Sequence, residues 1–306
     1  MTHPRTDTSY SVGGLAFTVS LPAPLRASSL LTSFTPFLCP PACAPLFVLS
    51  CPATPAPAVP PGSVALEEQR NDLGRTLLLS LPGGGYRVEL SAPGGSRLHV
   101  LHADGVFRRC LAWLDPSDPQ CGAALSSLLR VCYSQSVLLS GGVSVHASCV
   151  VRGGLAYLFM GPSGTGKSTH SRQWLRAFPG TWLLNDDNPV LRVEGGQALA
   201  YGSPWSGKTS CYRASRVPVG GLVRLHQGAS NTFRPCRGVD AFSAVLPGCS
   251  FIRQDALLRE GLYDTLSRLS SLVPVGRLSC LPDEASARVC LSGLEEERIN
   301  QKEINQ

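Results

Sequence analysis

Apolar positions in the first third of the chain come in short runs, at 15–19, 46–49, 76–81, 86–90 and 98–101. These runs are alternating or continuous, and Pro82-Gly83-Gly84-Gly85 and Pro93-Gly94-Gly95 punctuate them. That pattern predicts short strands joined by turns, a small sheet domain. After position 122 the spacing changes. Leu125, Leu128, Leu129, Cys132 and Tyr133 recur at helical intervals with no breaker before Gly141-Gly142, which predicts a helix over 122–139. Two apolar runs follow, 143–151 and 155–160, parted by Arg152-Gly153-Gly154, the signature of a hairpin. The second run leads straight into a glycine-rich stretch, after which helical spacing resumes through Trp174 and Leu175 and stops at Pro179-Gly180. A strand at 182–184 then ends in Asn185-Asp186-Asp187. Further on, 219–225 and 273–281 read as strands, and 240–246 and 255–269 as helices. The organisation expected is a β-rich N-terminal region over 1–118, an α/β domain over 119–292, and a polar tail over 293–306 that frays.

Composition narrows the class. Of 306 residues, 43% are hydrophobic, enough for a sizeable core. The 31 glycines and 25 prolines fall below the roughly 25–30% that marks low complexity. Residues 27–66 carry no charge, a length that suggests a membrane span. Nine prolines interrupt that stretch, however, and each interior proline costs a helix about 3 kcal/mol. Short strands and an extended Pro-rich connector over 52–62 are expected instead, with no membrane partner. The net charge of +6 is spread singly along the chain, without the Lys/Arg clusters of a nucleic-acid-binding face. Twelve cysteines show no C-x-x-C pair and no zinc-ligand spacing, and 1–19 has no long apolar core. They read as reduced, mostly buried small hydrophobes of a cytoplasmic protein.

Chemistry concentrates at Gly161-Pro162-Ser163-Gly164-Thr165-Gly166-Lys167-Ser168-Thr169. This is the G-x4-G-K-S phosphate-loop pattern, with an apolar strand before it and a helix after it. Small residues let successive backbone N–H groups converge on phosphate oxygens, and the helix beginning at Lys167 adds its positive end. Lys167 supplies a mobile charge for the β- and γ-phosphates, and Ser168 a hydroxyl for Mg²⁺. The plainer reading is a glycine-rich turn capping a helix. The second signal is the pair Asp186-Asp187 at the carboxyl end of a strand, where open α/β sheets place their ligands. One carboxylate there suits proton transfer and the other a metal ion, although Asn188-Pro189 also suits a plain polar turn.

Taken together, these residues make the chain resemble the HPr serine kinase/phosphorylase family, which shares its nucleotide site with ATP-dependent phosphoenolpyruvate carboxykinases. The likeness spans 146–193 and continues more weakly to about 281. It is strongest to bacterial relatives that carry His-Ala-Ser before the loop and Leu-Leu-Asn-Asp-Asp-Asn-Pro after it. The resemblance implies a nucleotide-binding domain of that type, α/β with α+β character, preceded by a small β-rich domain. It implies ATP and Mg²⁺ as cofactors and a kinase acting on a hydroxyl, a serine of a protein or peptide. By the same resemblance, Lys167 and Ser168 are the loop lysine and the magnesium-binding serine. Asp186 is the general base, Asp187 stands beside it at the metal, and His146 assists Asp186 from the strand antiparallel to the loop strand. Gly161, Pro162, Ser163, Gly164, Thr165, Gly166 and Thr169 complete the nucleotide cradle.

The chain also departs from the family. Thr169 stands where HPr kinases have Glu, and the Glu-Ile-Arg-Gly motif is replaced by Tyr201-Gly202-Ser203-Pro204-Trp205-Ser206-Gly207-Lys208. Lys208, beside a glycine, is the candidate replacement at the phosphates, and Trp205 reads either as an adenine platform or as a core residue. Arg253, Arg259 and Arg268 read as a solvated helix face. Two other readings stay open: a non-catalytic ATP-binding regulatory module, and a small-molecule enzyme of the carboxykinase kind. Neither the acceptor nor the oligomeric state is legible, and a homo-oligomer is compatible with the sequence.

Overall fold

The computed structural model describes residues 4–71, 74–91, 97–207 and 209–304, so Lys208 and the turn at 93–95 lie outside the described residues. Its architecture is mixed α/β with two sheets. Contacts divide the chain into two compact units, Met1–Leu139 with Ile252–Leu258, and Ser140–Phe251 with Arg259–Gln306.

The first unit holds an eight-stranded sheet. Its strands are β1 (Arg5–Val12), β2 (Leu15–Pro22), β3 (Val48–Ser50), β4 (Val64–Asn71), β5 (Gly74–Ser80), β6 (Tyr86–Ser91), β7 (Leu98–Ala103) and β8 (Arg109–Trp113). They lie in the order β1-β2-β3-β8-β7-β6-β5-β4, antiparallel except where β3 pairs with its two neighbours. The charge-free stretch becomes a short helix α1 (Ala27–Leu30), a 3₁₀ turn carrying Pro36, then β3 and a connector without strand or helix. Among the described residues no helix is long and apolar enough to cross a membrane. Aromatic packing fixes this core: Phe17 stacks on Phe47 at 4.7 Å, and Tyr10 meets Phe34 edge-on at 5.3 Å. The helix predicted over 122–139 is α2 (Cys121–Ser136), and its Tyr133 hydroxyl donates to Val12 O at 2.9 Å. That contact goes with the placing of α2 in the first unit, whereas the change of apolar spacing suggested a boundary near 118.

The second unit carries the glycine-rich loop. Its elements are β9 (Gly142–Ser144), β10 (Ala147–Arg152), β11 (Leu155–Met160), α3 (Lys167–Ala177), β12 (Trp182–Asn185), β13 (Val190–Glu194), β14 (Gln197–Tyr201) and β15 (Arg216–Gln227), followed by β16 (Thr232–Cys236), α4 (Gly238–Val245), α5 (Ala256–Leu272), β17 (Val275–Cys280) and α6 (Glu284–Ile304). The strand order is β12-β10-β11-β15-β14-β13-β9, with β17 beside β15 and β16 beside β17. β10 and β11 form the predicted hairpin. The single run expected over 143–151 is broken, because β9 pairs with β13 while β10 pairs with β11 and β12. Between them Val145 bridges Cys249, and the His146 amide donates to Gly248 O at 2.7 Å.

On one face of this sheet α3 and α6 bury Tyr157, Phe159, Trp174, Val223, Leu225, Leu278, Leu291 and Leu294 in one cluster. Gly221 lets α6 approach: a Cβ there would stand 2.7 Å from Leu294 Cδ2. The C-terminal stretch expected to fray is the second half of α6. Asp283 caps that helix, accepting the Ser286 amide at 2.8 Å. The stripe Ala287, Cys290, Leu291, Leu294 then faces the core. Glu297, 1% exposed, is held by two bonds from Arg237 at 2.7 and 2.8 Å. Eight of the twelve cysteines are buried, and none is in a disulfide.

Candidate functional site

β11 and β12 both run antiparallel to β10, so their carboxyl ends open at the same edge of the sheet. The glycine-rich loop leaves one and the acidic turn leaves the other. In the loop, the Thr165 amide and hydroxyl donate to Pro162 O at 3.2 and 2.7 Å, closing a tight turn. Gly166, the residue that opens α3, has φ of +100°, a left-handed value strained for any side chain even though the space is open. No acidic residue occupies the first turn of α3, so its positive end is uncompensated from within the helix. The Lys167 ammonium donates to Gly161 O at 2.9 Å and Pro162 O at 3.4 Å. Burial holds its pKa below the ordinary lysine value, and Asp187, then Asp186, oppose that shift by Coulomb attraction. Gln227, at the end of β15, ties the loop to the sheet by donating to Gly164 O at 3.1 Å.

The acidic turn is built around Asn185, fully buried. Its Oδ1 accepts the amides of Asp187 and Asn188 at 2.9 and 2.8 Å, and its Nδ2 donates to Ser203 O and Trp205 O at 3.2 and 3.1 Å. The segment 202–207 thus packs against the pair; a Cβ on Gly207 would sit 3.1 Å from Asp186 O. Trp205 is 5% exposed, so its ring is a core residue rather than an open platform.

The two carboxylates differ. Asp186 is 5% exposed, and its Oδ1 accepts from Ser148 Oγ at 2.7 Å. Ser148 lies 2.6 Å from Ser171 Oγ on α3. A hydroxyl has one proton, so Ser148 gives its own to Asp186 and receives that of Ser171. Asp186 Oδ2 is buried with no hydrogen-bond partner among the described residues. Asp187, with a side chain 22% exposed, is paired through Oδ1 with His146 Nε2 at 3.3 Å and takes a bond from Asn188 Nδ2 at 2.6 Å on Oδ2.

The structure thus brings Lys167, Asp186, Asp187 and His146 to one edge. The expected help from His146 to Asp186 is replaced by a pair with Asp187: His146 precedes β10 and its Nε2 meets Asp187, while Ser148 on β10 bonds Asp186. Ser171 is an addition that the motifs do not name, and Ser148, the last residue of His-Ala-Ser, gains a role that the motif did not assign. Besides that block, a lone hydroxyl in the otherwise apolar run Ala147-Ser148-Cys149-Val150 marks Ser148. Arg268, half exposed, makes a long 3.9 Å pair with Asp264 on α5.

Among the described residues no three His, Cys, Asp or Glu side chains are grouped to hold a metal ion. Mg²⁺ ordinarily takes one or two carboxylates plus phosphate and water. The oxygen donors present, Ser168 and the two aspartates, fit such an ion, and the partnerless Asp186 Oδ2 is the anionic atom with a valence to offer it.

No model of a known family matches the chain, and no curated protein does. Among solved structures it is similar to the Hpr(Ser) kinase/phosphatase from Coxiella burnetii, at 12% identity and a TM-score of 0.32, covering 53% of this chain and 94% of that one. A likeness of that size carries nothing across to the site.

Proposed function

We propose that the chain is an ATP- and Mg²⁺-dependent kinase that transfers a γ-phosphoryl group to a hydroxyl, most simply a serine of a protein or peptide. The carrying observation is geometric: the strand–loop–helix turn that holds Lys167 and the pair Asp186-Asp187 leave β11 and β12 at the same edge of the sheet. The loop amides and Lys167 grip the β- and γ-phosphates, with Ser163, Gly164, Thr165 and Gly166 forming the floor. Ser168 and Asp186 would hold Mg²⁺, which would supply charge neutralisation at the phosphates.

The division of labour favoured here reverses the sequence expectation. Asp187 is the carboxylate that an incoming hydroxyl can reach, and His146 holds it in place. It takes the hydroxyl proton as the oxygen attacks phosphorus and the bond to the leaving ADP breaks. Asp186, locked by Ser148 and closed to solvent, serves the metal side.

Transfer from γ-labelled ATP to host lysate tests this. Lys167→Ala should lower transfer by about 100-fold or more. Asp187→Asn should lower it by about 100-fold or more at any Mg²⁺ level, whereas Asp186→Asn should recover as Mg²⁺ rises. Full transfer by Lys167→Ala would end the kinase reading, and full transfer by Asp187→Asn would return the base to Asp186. ATP binding without transfer to any acceptor would leave a sensing module.

A further inference from the structure

The sheet lines up three arginines that are far apart in the sequence. Met160, the last residue of β11, is in register with Arg224 on β15; Arg224 is in register with Arg277 on β17, and Arg277 with Arg234 on β16. Directly opposed residues on adjacent strands share a face. Phe159, Val223, Leu225 and Leu278 point into the core under α3 and α6, so their alternates Met160, Arg224 and Arg277 point to the other side. Phe233 packs against that same core, which puts Arg234 with them. His226, two residues after Arg224, extends the row on this face.

The row lacks counter-charge. Arg277 donates to Ser243 Oγ at 3.1 Å on α4, and none of the three arginines has a salt bridge to a carboxylate among the described residues. Asp240, in the first turn of α4, acts on the nearby Cys236 thiol yet bonds to none of them. Arg224 and Arg277 are half-buried, and like charges directly opposed across strands are destabilising. Burial and then Arg277 lower the Arg224 pKa, and burial, Arg224 and Arg277 lower that of His226. Such a row is costly for the chain alone and suited to an oxyanion, since planar guanidinium forks match phosphate. Its place is also telling: Arg224 stands in register with Met160, the last strand residue before the glycine-rich loop.

We infer that Arg224, Arg277 and Arg234 form a second anion site, separate from the phosphate loop, that takes a phosphate dianion, free or on a small phosphomonoester. The site needs no nucleotide in the loop, so it stands or falls apart from the kinase reading.

The experiment titrates inorganic phosphate, and separately glycerol 3-phosphate, into the full chain with the loop saturated by a non-hydrolysable ATP analogue and Mg²⁺. Sodium chloride at matched ionic strength is the control. Binding read by calorimetry or thermal shift should weaken about tenfold or more in Arg277→Gln and in the more exposed Arg234→Gln, with analogue binding unchanged. Binding of both probes marks free phosphate as sufficient, and binding of the ester alone marks the organic part as needed. Stabilisation matched by chloride, no binding of either probe, or undiminished binding in both variants would overturn the assignment. Lys167→Ala should lose the analogue and keep the phosphate, which separates failure of this site from failure of the loop.

Discussion

Trp174 settles the protonation of its neighbour. The indole N–H can only donate, and it points at His170 Nε2 at 3.0 Å, so the histidine carries its proton on Nδ1 and offers it to Ser286 Oγ at 3.3 Å. Burial lowers the pKa of this 3%-exposed ring to about 4. In the unfolded chain a histidine titrates near 6.5, so between the two values the unfolded state binds more protons and stability rises with pH. The contribution is fully present above about pH 6.5 and is lost as pH falls toward 4, a change of about 3 kcal/mol at most. Chemical unfolding at pH 7.5 and 4.5 should show that loss in the native protein and a smaller one in His170→Gln. Ser148 poses a different test. Ser148→Ala leaves both oxygens of the buried Asp186 carboxylate without a partner, which should cost about 1–3 kcal/mol, with Ser148→Thr restoring part of it. Single residues divide sharply in how readable they are. Lys167 and Asp186 stand out because each sits in a contiguous motif, whereas the role of Ser148 depends on which way a strand faces. His146 lies just before β10, and its ring meets Asp187.

Elements are legible where their signal is contiguous. The hairpin before the loop, the start of α3 at Lys167 and its end before Pro179 all follow from neighbouring residues. The C-terminal stretch shows the opposite case. Its charged residues suggest a solvated tail over 293–306, yet Leu294 and Glu297 are buried there, continuing the helix whose Ala287, Cys290 and Leu291 cover a sheet face. A narrow apolar stripe gives a weak sequence signal, and tertiary packing completes it. Leu294 is fully buried, so Leu294→Ala should destabilise the protein by about 2–5 kcal/mol in urea unfolding. Ile299, 59% exposed on the same helix, should tolerate alanine within about 0.5 kcal/mol. Equal, negligible effects of the two substitutions would mean that α6 does not close the core.

At the scale of the whole chain, the modest net charge of +6 conceals a local arrangement. The glycine-rich loop is written in nine consecutive residues and is legible as a local pattern. The arginine row is assembled by a parallel register between β15 and β17 and an antiparallel one between β17 and β16, which no local pattern encodes. Ligand-induced stabilisation tests the loop as a property of the folded molecule. A ligand that binds only the native state stabilises it by mass action, about 2.7 kcal/mol at a free concentration 100 times its Kd. Mg²⁺-ATP should therefore raise the midpoint of thermal unfolding in the native protein, and ATP without Mg²⁺ should raise it less. Lys167→Ala should remove most of the shift, because the ammonium that faces Asp186 and Asp187 would no longer be there to balance the phosphates. Arg277→Gln should keep the shift, since its guanidinium lies on the face of the sheet turned away from α3. Hydrogen exchange carries the same test to single segments: Mg²⁺-ATP should slow exchange over 161–169 and at the acidic turn after β12. If protection instead fell outside both segments, the triphosphate would be bound somewhere other than the loop, and the roles given to Lys167 and the two aspartates would fall together.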